Sequence, residues 1–368
     1  MGDVRITKRS PVSMRFFQSI GDNKNALEAY QRLRLTPSKN AKDACKDVAS
    51  RVIQALDQCP KFVGRAVHTG SGVRDVSLKK PLWSDVDIVC FLQRDTNDRL
   101  ITSFEHFEKA RWIASKFVKE YLENEIGTYF DEASVVHDGC VTGFVVKLEV
   151  KRSSISIRPW SVDVLFARDL EINNNEPQWG LVERELDELL LATKRTQTNS
   201  MAPYRDAFLQ GIYTQTPRLK GLVKSLKAFY RILTSGERKS TVNGFFFEML
   251  AVLLFFNKFI PANFSLPRAL ATCYEAMAAP SKFPALCFGR ERAGGDALNR
   301  PAPPSDEQLS AMKNKAGAYC LVLVDPFAPF NNVAAKKRKQ MDAWPVLEEG
   351  AANILEALKS KNVAPYAF

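Results

Sequence analysis

The chain has 368 residues, which is enough for one large domain or two ordinary ones with a sizeable core. Its apolar fraction of 45% and charged fraction of 25% are those of a soluble globular protein, and no apolar run is long enough to span a bilayer. A net charge of +11 favours anionic partners, such as nucleotides, nucleic acid or an acidic membrane surface.

The seven cysteines are scattered along the chain and include no Cys-x-x-Cys pair. This spacing predicts a reducing compartment, with neither a disulfide framework nor a structural zinc site. The most apolar run, at residues 245–256, contains Glu248 and is too short for a transmembrane helix. We therefore expect a cytoplasmic protein without a membrane partner.

The first strong helical pattern covers residues 38–58, after a mixed segment with a shorter predicted helix at 25–33. Ser38 is a suitable N-cap, and apolar residues recur along one side of the helix. Lys39, Lys42 and Lys46 line another side at near-helical spacing. A solvated helix face is the plainer interpretation of these lysines, and a surface for nucleic acid is the alternative.

The stretch at residues 70–92 combines a glycine-rich turn with an acidic strand. Gly70-Ser71-Gly72 lets backbone N–H groups approach a phosphate closely, and the Ser71 hydroxyl can donate to it. Asp85 and Asp87 enter an apolar strand two residues apart, so both point to the same face of an extended chain. Such carboxylates repel each other and lose solvation, which a cation such as Mg²⁺ relieves. The pattern predicts a metal and phosphate site; the plainer alternative is a turn into an edge strand with solvated acids.

A third acid follows after one more helix and several strands. The helix is predicted at residues 103–124, and the strands at 143–150, 154–157 and 161–166. Asp163 is the acid within the last of these apolar strands. Alone it would be an ordinary edge residue, but beside Asp85 and Asp87 it completes a set of three carboxylates.

The second half of the chain is predicted to be helical. The polar run at residues 196–200 is the expected boundary between a catalytic lobe at 1–195, with an N-terminal spine helix, and a helical lobe at 196–368. A helix beginning at Pro217 has an apolar face and a separate basic stripe, which consists of Lys220, Lys224, Lys227 and Arg231. The remaining predicted elements are a buried helix at 245–256, an exposed loop at 289–306, a strand at 320–324 and a closing helix at 344–358. The predicted fold class is α+β, with a mixed β-sheet lobe followed by a helical lobe.

Four stretches of the sequence support a family resemblance. They are Gly70-Ser71 with Ser84-Asp85-Val86-Asp87; Val162-Asp163-Val164-Leu165; Pro217-Arg218-Leu219-Lys220 through Lys227-Ala228-Phe229-Tyr230; and Val324-Asp325-Pro326 through Asn332-Val333-Ala334. Together they resemble the 2′-5′ oligoadenylate synthetases, which are polymerase beta-like nucleotidyltransferases related to cyclic GMP-AMP synthase. The fourth stretch is the most specific, because the wider superfamily does not share it. The resemblance implies a two-lobed nucleotidyltransferase fold.

The resemblance also implies roles for individual residues. Two Mg²⁺ ions would be bound by Asp85, Asp87 and Asp163. The donor triphosphate would be held by Gly70, Ser71, Arg74 and Lys227, and Phe245 would lie near a bound base. Double-stranded RNA would be faced by Arg205 and Arg218. Lys39, Lys42 and Lys46 would join them in one basic surface if the first helix packs beside the junction of the lobes. Two plainer interpretations stay open: Lys227 as a solvated lysine of its stripe, and Phe245 as a core residue.

The implied activity is template-independent transfer of nucleotides from ATP, with release of pyrophosphate, to make 2′-5′-linked oligoadenylates. Activation by double-stranded RNA and a role in antiviral innate immunity accompany this activity in the family. Two alternatives remain: a cyclic dinucleotide synthase of the same superfamily, and a catalytically inactive RNA-binding sensor.

Overall fold

The computed structural model describes residues 26–79, 85–136, 143–151, 159–169, 193–233, 244–288, 304–316, 321–334 and 343–367. The α-helices in these ranges are α1 Ala26–Tyr30, α2 Lys39–Asp57, α3 Phe104–Glu125, α4 Lys194–Ser200, α5 Ala202–Gln215, α6 Arg218–Leu233, α7 Gly244–Phe256, α8 Leu266–Ala278, α9 Asp306–Ala316 and α10 Ala343–Lys359. The strands are β1 Val63–Thr69, β2 Val86–Leu92, β3 Glu132–Val135, β4 Val145–Lys151, β5 Trp160–Arg168, β6 Val324–Asp325 and β7 Ala328–Asn332.

Five strands form one mixed sheet in the order β1-β2-β5-β4-β3. β2 and β5 pair in parallel inside the sheet, and the other neighbouring strands are antiparallel. β2 is buried along almost its whole length, whereas β4 alternates between buried and outward positions. A strand that is covered on both faces has a continuous run of apolar residues. A strand with one open face alternates between apolar and polar residues. The predicted mixed sheet and α+β class are confirmed.

Helices α2 and α3 pack on one face of this sheet and share its apolar core. Both begin where the sequence predicts, because Ser38 and Ser103 accept hydrogen bonds from the backbone N–H groups of Ala41 and His106. On the opposite face, Val89 and Phe91 of β2 pack against Ala202 at the start of α5. Asp87 points to that second face, since side chains alternate along a strand.

The later helices surround a second apolar core. Its buried side chains come mainly from α5, α6, α7, α8 and α10. α7 is buried on nearly all sides, as its continuous apolar sequence predicts. None of the helices in the described ranges is long and apolar enough to cross a membrane.

The segment expected to separate two lobes is itself a packed helix. Residues 196–200 lie in α4, where Asn199 Nδ2 donates to the Phe166 carbonyl at 2.9 Å and Ser200 Oγ accepts from the Arg168 N–H at 3.1 Å. The division at residues 195 and 196 therefore stays a prediction. β6 is shorter than the predicted strand at 320–324, and the predicted strand at 154–157 and most of the loop at 289–306 lie outside the described residues.

Candidate active site

One row of side chains crosses four strands of the sheet. Asp87 on β2 is the register partner of Thr69 on β1 and of Asp163 on β5, and Lys147 on β4 is the partner of Asp163. Register partners on neighbouring strands share a face and lie about 4.8 Å apart. Asp85 is exposed just before β2, two residues from Asp87. The three predicted carboxylates are thus brought to one region of one sheet face.

The two inner carboxylates are electrostatically strained. Burial, followed by the charges of Asp163 and Asp85, raises the pKa of Asp87 from 3.8 to about 7. Burial also raises the pKa of Asp163, against the opposing effects of Lys147 and Arg195. Asp163 Oδ1 makes no hydrogen bond, and the Lys147 ammonium stands 3.7 Å from it. The row therefore has an excess of buried negative charge.

Carboxylate oxygens in this arrangement fit a hard divalent cation such as Mg²⁺. The donor atoms are of the right type, and the unpartnered Asp163 oxygen and the raised pKa of Asp87 show an unmet need for positive charge. Within the described residues, no group of three His, Cys, Asp or Glu side chains is already arranged around a metal position. Asp85, Asp87 and Asp163 are the residues that would hold such an ion.

The glycine-rich turn follows β1 directly beside this row. Gly70 has a φ of +85°, and a Cβ atom there would stand 2.2 Å from Asp87 Oδ2, so both backbone conformation and space require glycine. Its N–H donates to Asp206 Oδ2 of α5 at 2.7 Å, and the role of the Gly70 turn toward a phosphate stays a prediction. Ser71 is buried next to it. The turn positions Ser71 beside the acidic row.

Arg74 lies in a buried charge cluster. Its guanidinium donates to both Glu248 oxygens of α7 at 2.7 Å and also pairs with Asp206. Tyr213 donates to Glu248 Oε1 at 2.8 Å. Because Arg74 is 5% exposed and fully engaged, its position does not support the expected contact with a donor triphosphate.

Lys227 belongs to the same cluster, which corrects its interpretation as a solvated lysine. Its ammonium donates to the Val76 carbonyl at 3.3 Å and lies 3.7 Å from Glu248 Oε2. Burial lowers the pKa of Lys227 to about 8, while Glu248 and Asp87 act in the opposite direction. Lys227 is thus near the acidic row, although its present partners are protein groups.

Three other lysines converge on a single carboxylate. Lys42 of α2 lies 2.7 Å from Asp75, and Lys220 and Lys224 of α6 each lie 3.7 Å from it. Burial, with the charges of Lys42 and Lys220, lowers the pKa of Lys224 to about 8. Three cations around one acid are suited to a ligand with several negative charges, such as a polyphosphate.

The sequence indicated only part of this lysine cluster. The basic stripe of α6 is visible at helical spacing, but it does not show which of its lysines meet α2. Asp75 has a φ of +57° in the turn after Gly70, and its role depends on contacts between distant segments. Asp206 and Glu248 were missed for the same reason.

Phe245 and Arg205 contact each other. The Arg205 guanidinium lies 4.8 Å from the centroid of the Phe245 ring and pairs with Asp325 at 2.9 Å. Arg205 is 5% exposed, which does not favour its predicted place on a surface for double-stranded RNA, and that role stays a prediction. Phe245 is partly buried against the helical core, which agrees with its interpretation as a packing residue.

The other basic residues predicted to face RNA lie on α2 and at the start of α6. Lys39, Lys46 and Arg218 are exposed, whereas Lys42 is half-buried beside Asp75. Lys42 and Lys220 share Asp75, so α2 and the first turns of α6 are close together. A basic surface across both helices remains a prediction.

By sequence, the chain matches no protein-family model and no curated protein. Its fold is similar to solved structures over almost its whole length. The CdnC:HORMA-deltaN complex of E. coli MS115-1 matches with a TM-score of 0.58 at 14% identity, covering 94% of this chain and 93% of that one. The STING-associated CdnE c-di-GMP synthase from Capnocytophaga granulosa matches with a TM-score of 0.50 at 13% identity, covering 95% and 92%. The MgGTP-bound Cid1 poly(U) polymerase matches with a TM-score of 0.52 at 15% identity, covering 93% and 95%.

The chain has the polymerase beta-like nucleotidyltransferase fold. The sequence resemblance predicted this fold, and at these identities the likeness concerns the fold alone.

Proposed function

We propose that this protein is a Mg²⁺-dependent nucleotidyltransferase that transfers the nucleotidyl group of ATP to a ribose hydroxyl and releases pyrophosphate. The observation that supports this most directly is the register pairing of Asp87 with Asp163, beside the turn that holds Ser71. Two partly buried acids that repel each other destabilise a fold unless a cation joins them, so a binding role accounts for their presence.

The residues of the site have distinct proposed roles. Asp85, Asp87 and Asp163 would hold two Mg²⁺ ions, which when bound lower the pKa of the acceptor hydroxyl and neutralise the departing pyrophosphate. Asp163 Oδ1, which lacks a hydrogen-bond partner, is suited to accept the proton of that hydroxyl. Ser71 would donate to the donor triphosphate. The catalytic contribution is mainly positioning and charge neutralisation.

The lysine cluster around Asp75 is the proposed site of the donor triphosphate tail. Phosphate oxygens would replace the Asp75 carboxylate as partners of Lys42, Lys220 and Lys224. Lys227 stays a predicted phosphate ligand, and its ammonium would have to exchange Glu248 for the nucleotide.

The proposed product is 2′-5′-linked oligoadenylate, on the strength of the four sequence stretches given above. A cyclic dinucleotide is the second candidate, favoured by the whole-length likeness in fold to a c-di-GMP synthase. An inactive RNA-binding sensor is disfavoured, because such a protein would gain nothing from a costly acidic row.

The test is a product assay with the full chain, Mg²⁺ and either ATP alone or ATP with GTP. Linear oligoadenylates that resist a nuclease specific for 3′-5′ bonds would support the first product, and a cyclic product would support the second. Asp163→Asn is the inactive control. Absence of pyrophosphate release from every nucleoside triphosphate would overturn the proposal.

A further inference from the structure

The acidic row has two chemically different ends. At the β1 end, Thr69 leads directly into the turn of Gly70 and Ser71, where the donor phosphates are proposed to bind. At the β4 end, Lys147 follows Asp163. Three strand spacings separate the ends, which is roughly 14 Å. If the donor binds at the β1 end, an acceptor that reaches Asp163 from the β4 end would meet Lys147.

Lys147 is held loosely. Its ammonium is 3.7 Å from Asp163 Oδ1, which is beyond the range of a hydrogen bond, and its side chain is 47% exposed. An exposed ion pair of this kind is weak and easily exchanged. A cation bound by Asp163 would also remove the charge that now attracts Lys147. The lysine is then free to bind another anion next to the reacting hydroxyl.

The surroundings of Lys147 favour a negatively charged ligand. Arg195 at the start of α4 is exposed, and its positive charge, like that of Lys147, lowers the pKa of Asp163. The row is thus acidic at its centre and basic beyond Asp163. An acceptor nucleotide whose hydroxyl lies at Asp163 has its own 5′-phosphate one ribose ring away.

We propose that Lys147 binds the 5′-phosphate of the acceptor, so that the acceptor is a phosphorylated nucleotide or an oligonucleotide end and not a free nucleoside. This inference rests on the proposed function, because it assumes that the hydroxyl reacts beside Asp163. Lys147 also has a simpler possible role, the neutralisation of Asp163, which would affect every acceptor equally.

Equilibrium binding tests the inference without turnover. The full chain is saturated with Mg²⁺ and an α,β-methylene analogue of ATP, and adenosine or AMP is then titrated by calorimetry. We expect AMP to bind wild type at least about tenfold more tightly than adenosine. Lys147→Gln should lower AMP affinity roughly ten- to a hundredfold, as expected for a lost charge-assisted contact, and leave adenosine unchanged. Lys147→Arg should retain most of the preference.

Lys151→Gln is the matched control, since Lys151 lies on the same face of β4 and pairs with Glu132 at 2.6 Å, away from the row. It should not alter either affinity. Equal affinity of wild type for adenosine and AMP would overturn the inference, and so would an equal loss of both in Lys147→Gln. The dinucleotide ApA, whose only phosphate is internal, is titrated in the same way. Affinity for ApA as high as for AMP would show that the site accepts an oligonucleotide end, and lower affinity would show that it prefers a mononucleotide.

A transfer assay keeps this inference distinct from the proposed function. With 2′,3′-dideoxy-ATP as a donor that has no acceptor hydroxyl, Lys147→Gln should raise the KM for AMP and leave transfer to adenosine unchanged. If wild type transfers nothing, the proposed function fails while the binding result stands. If it transfers to AMP and adenosine with equal kcat/KM, only the inference fails.

Discussion

The surroundings of Asp87 oppose its negative charge. Its pKa in the folded protein is about 7, compared with an ordinary value of 3.8, because burial and two neighbouring acids oppose its charge. The folded state therefore binds the proton more tightly than the unfolded state. Without metal, stability should fall as the pH rises from about 4 to about 7 and stay low above that range.

Asp87→Asn should separate catalysis from stability. The amide keeps the shape of the side chain but removes charge from the row, so we expect turnover to fall about a hundredfold or more. In metal-free protein at pH 8, the same variant should have a higher melting temperature than wild type. It should also lose the increase in melting temperature that Mg²⁺ gives, which differential scanning fluorimetry measures.

The control for this change is Asp98→Asn, at an exposed loop position with a φ of +62° that asparagine tolerates. It should leave turnover, metal-free stability and the Mg²⁺ response unchanged. If Asp87→Asn retained more than about a tenth of wild-type turnover, Asp87 would not be a metal ligand.

Glu248 is the acid that stabilises the fold. Burial alone would raise its pKa, but Arg74 and Lys227 outweigh burial and lower the pKa to about 2. Glu248→Gln removes the charge that Arg74 and Lys227 share and leaves Arg74 with Asp206 as its acidic partner. We therefore expect a loss of about 3–5 kcal/mol of unfolding free energy in urea titrations. The wild-type contribution is fully present above pH 4.5 and is lost as the pH falls toward 2.

Glu275→Gln is the matched control for Glu248. Glu275 pairs at 3.2 Å with Lys282, whose side chain is 59% exposed, and such surface pairs contribute less than about 1 kcal/mol. A similar small loss at both positions would show that the buried cluster does not stabilise the protein.

At the scale of elements, the turn between β1 and β2 depends on one glycine. Gly70→Ala combines a φ of +85° with a Cβ atom 2.2 Å from Asp87 Oδ2, so the turn or the carboxylate must move. We expect a loss of at least about 1–2 kcal/mol in urea titrations and a severe loss of turnover. The control is Gly211→Ala in α5, where the added Cβ meets nothing within 4 Å. It should stabilise the protein by up to about 1 kcal/mol.

Helices and strands could be predicted where the sequence pattern that specifies them is local. Ser38 and Ser103 cap helices at the predicted positions, and the apolar run of α7 is buried. The acidic pair at the entry to β2 was also visible, because acids at an apolar strand conflict with burial. The strand pairing that adds Lys147 to the row was not visible, since the register of β4 against β5 depends on the whole sheet.

Charge pairing between distant segments was not visible in the sequence either. Arg74, Lys227 and Arg205 resemble ligand-binding residues in the sequence, yet each has a buried acidic partner far along the chain. The Asp325 motif likewise serves packing in this structure, where its carboxylate pairs with Arg205 and accepts from the Phe327 N–H at 3.0 Å. A sequence shows charge types but not which of them neutralise each other.

At the scale of the whole molecule, buried charges join the sheet to the helices. Arg74 follows β1, and its two acidic partners lie on α5 and α7. Asp206 also accepts a hydrogen bond from the N–H of Gly70. The turn beside the acidic row is therefore positioned by α5 as well as by the sheet. A change in helix position would therefore alter the site directly, which is the type of coupling that an activator could use.

The last prediction concerns double-stranded RNA. Lys39 and Lys46 on α2 and Arg218 on α6 are exposed, and Asp75 brings the two helices together. Duplex RNA would be bound by shape and charge without base readout, so affinity should fall steeply with salt. Replacing Lys39 and Lys46 by Glu reverses two charges and should weaken RNA binding. It should also reduce the slope of log affinity against log salt concentration by roughly one per lost phosphate contact.

Fluorescence anisotropy with a labelled duplex measures this effect, and Lys116→Glu, at an exposed position of α3, is the control that should retain more of the binding. Unchanged affinity and slope in the double variant would remove α2 from the RNA surface. Activation is a separate question, because RNA shifts a conformational equilibrium only if it prefers the active state. If duplex RNA binds wild type but leaves pyrophosphate release unchanged, the protein has an RNA-binding surface but is not activated by RNA.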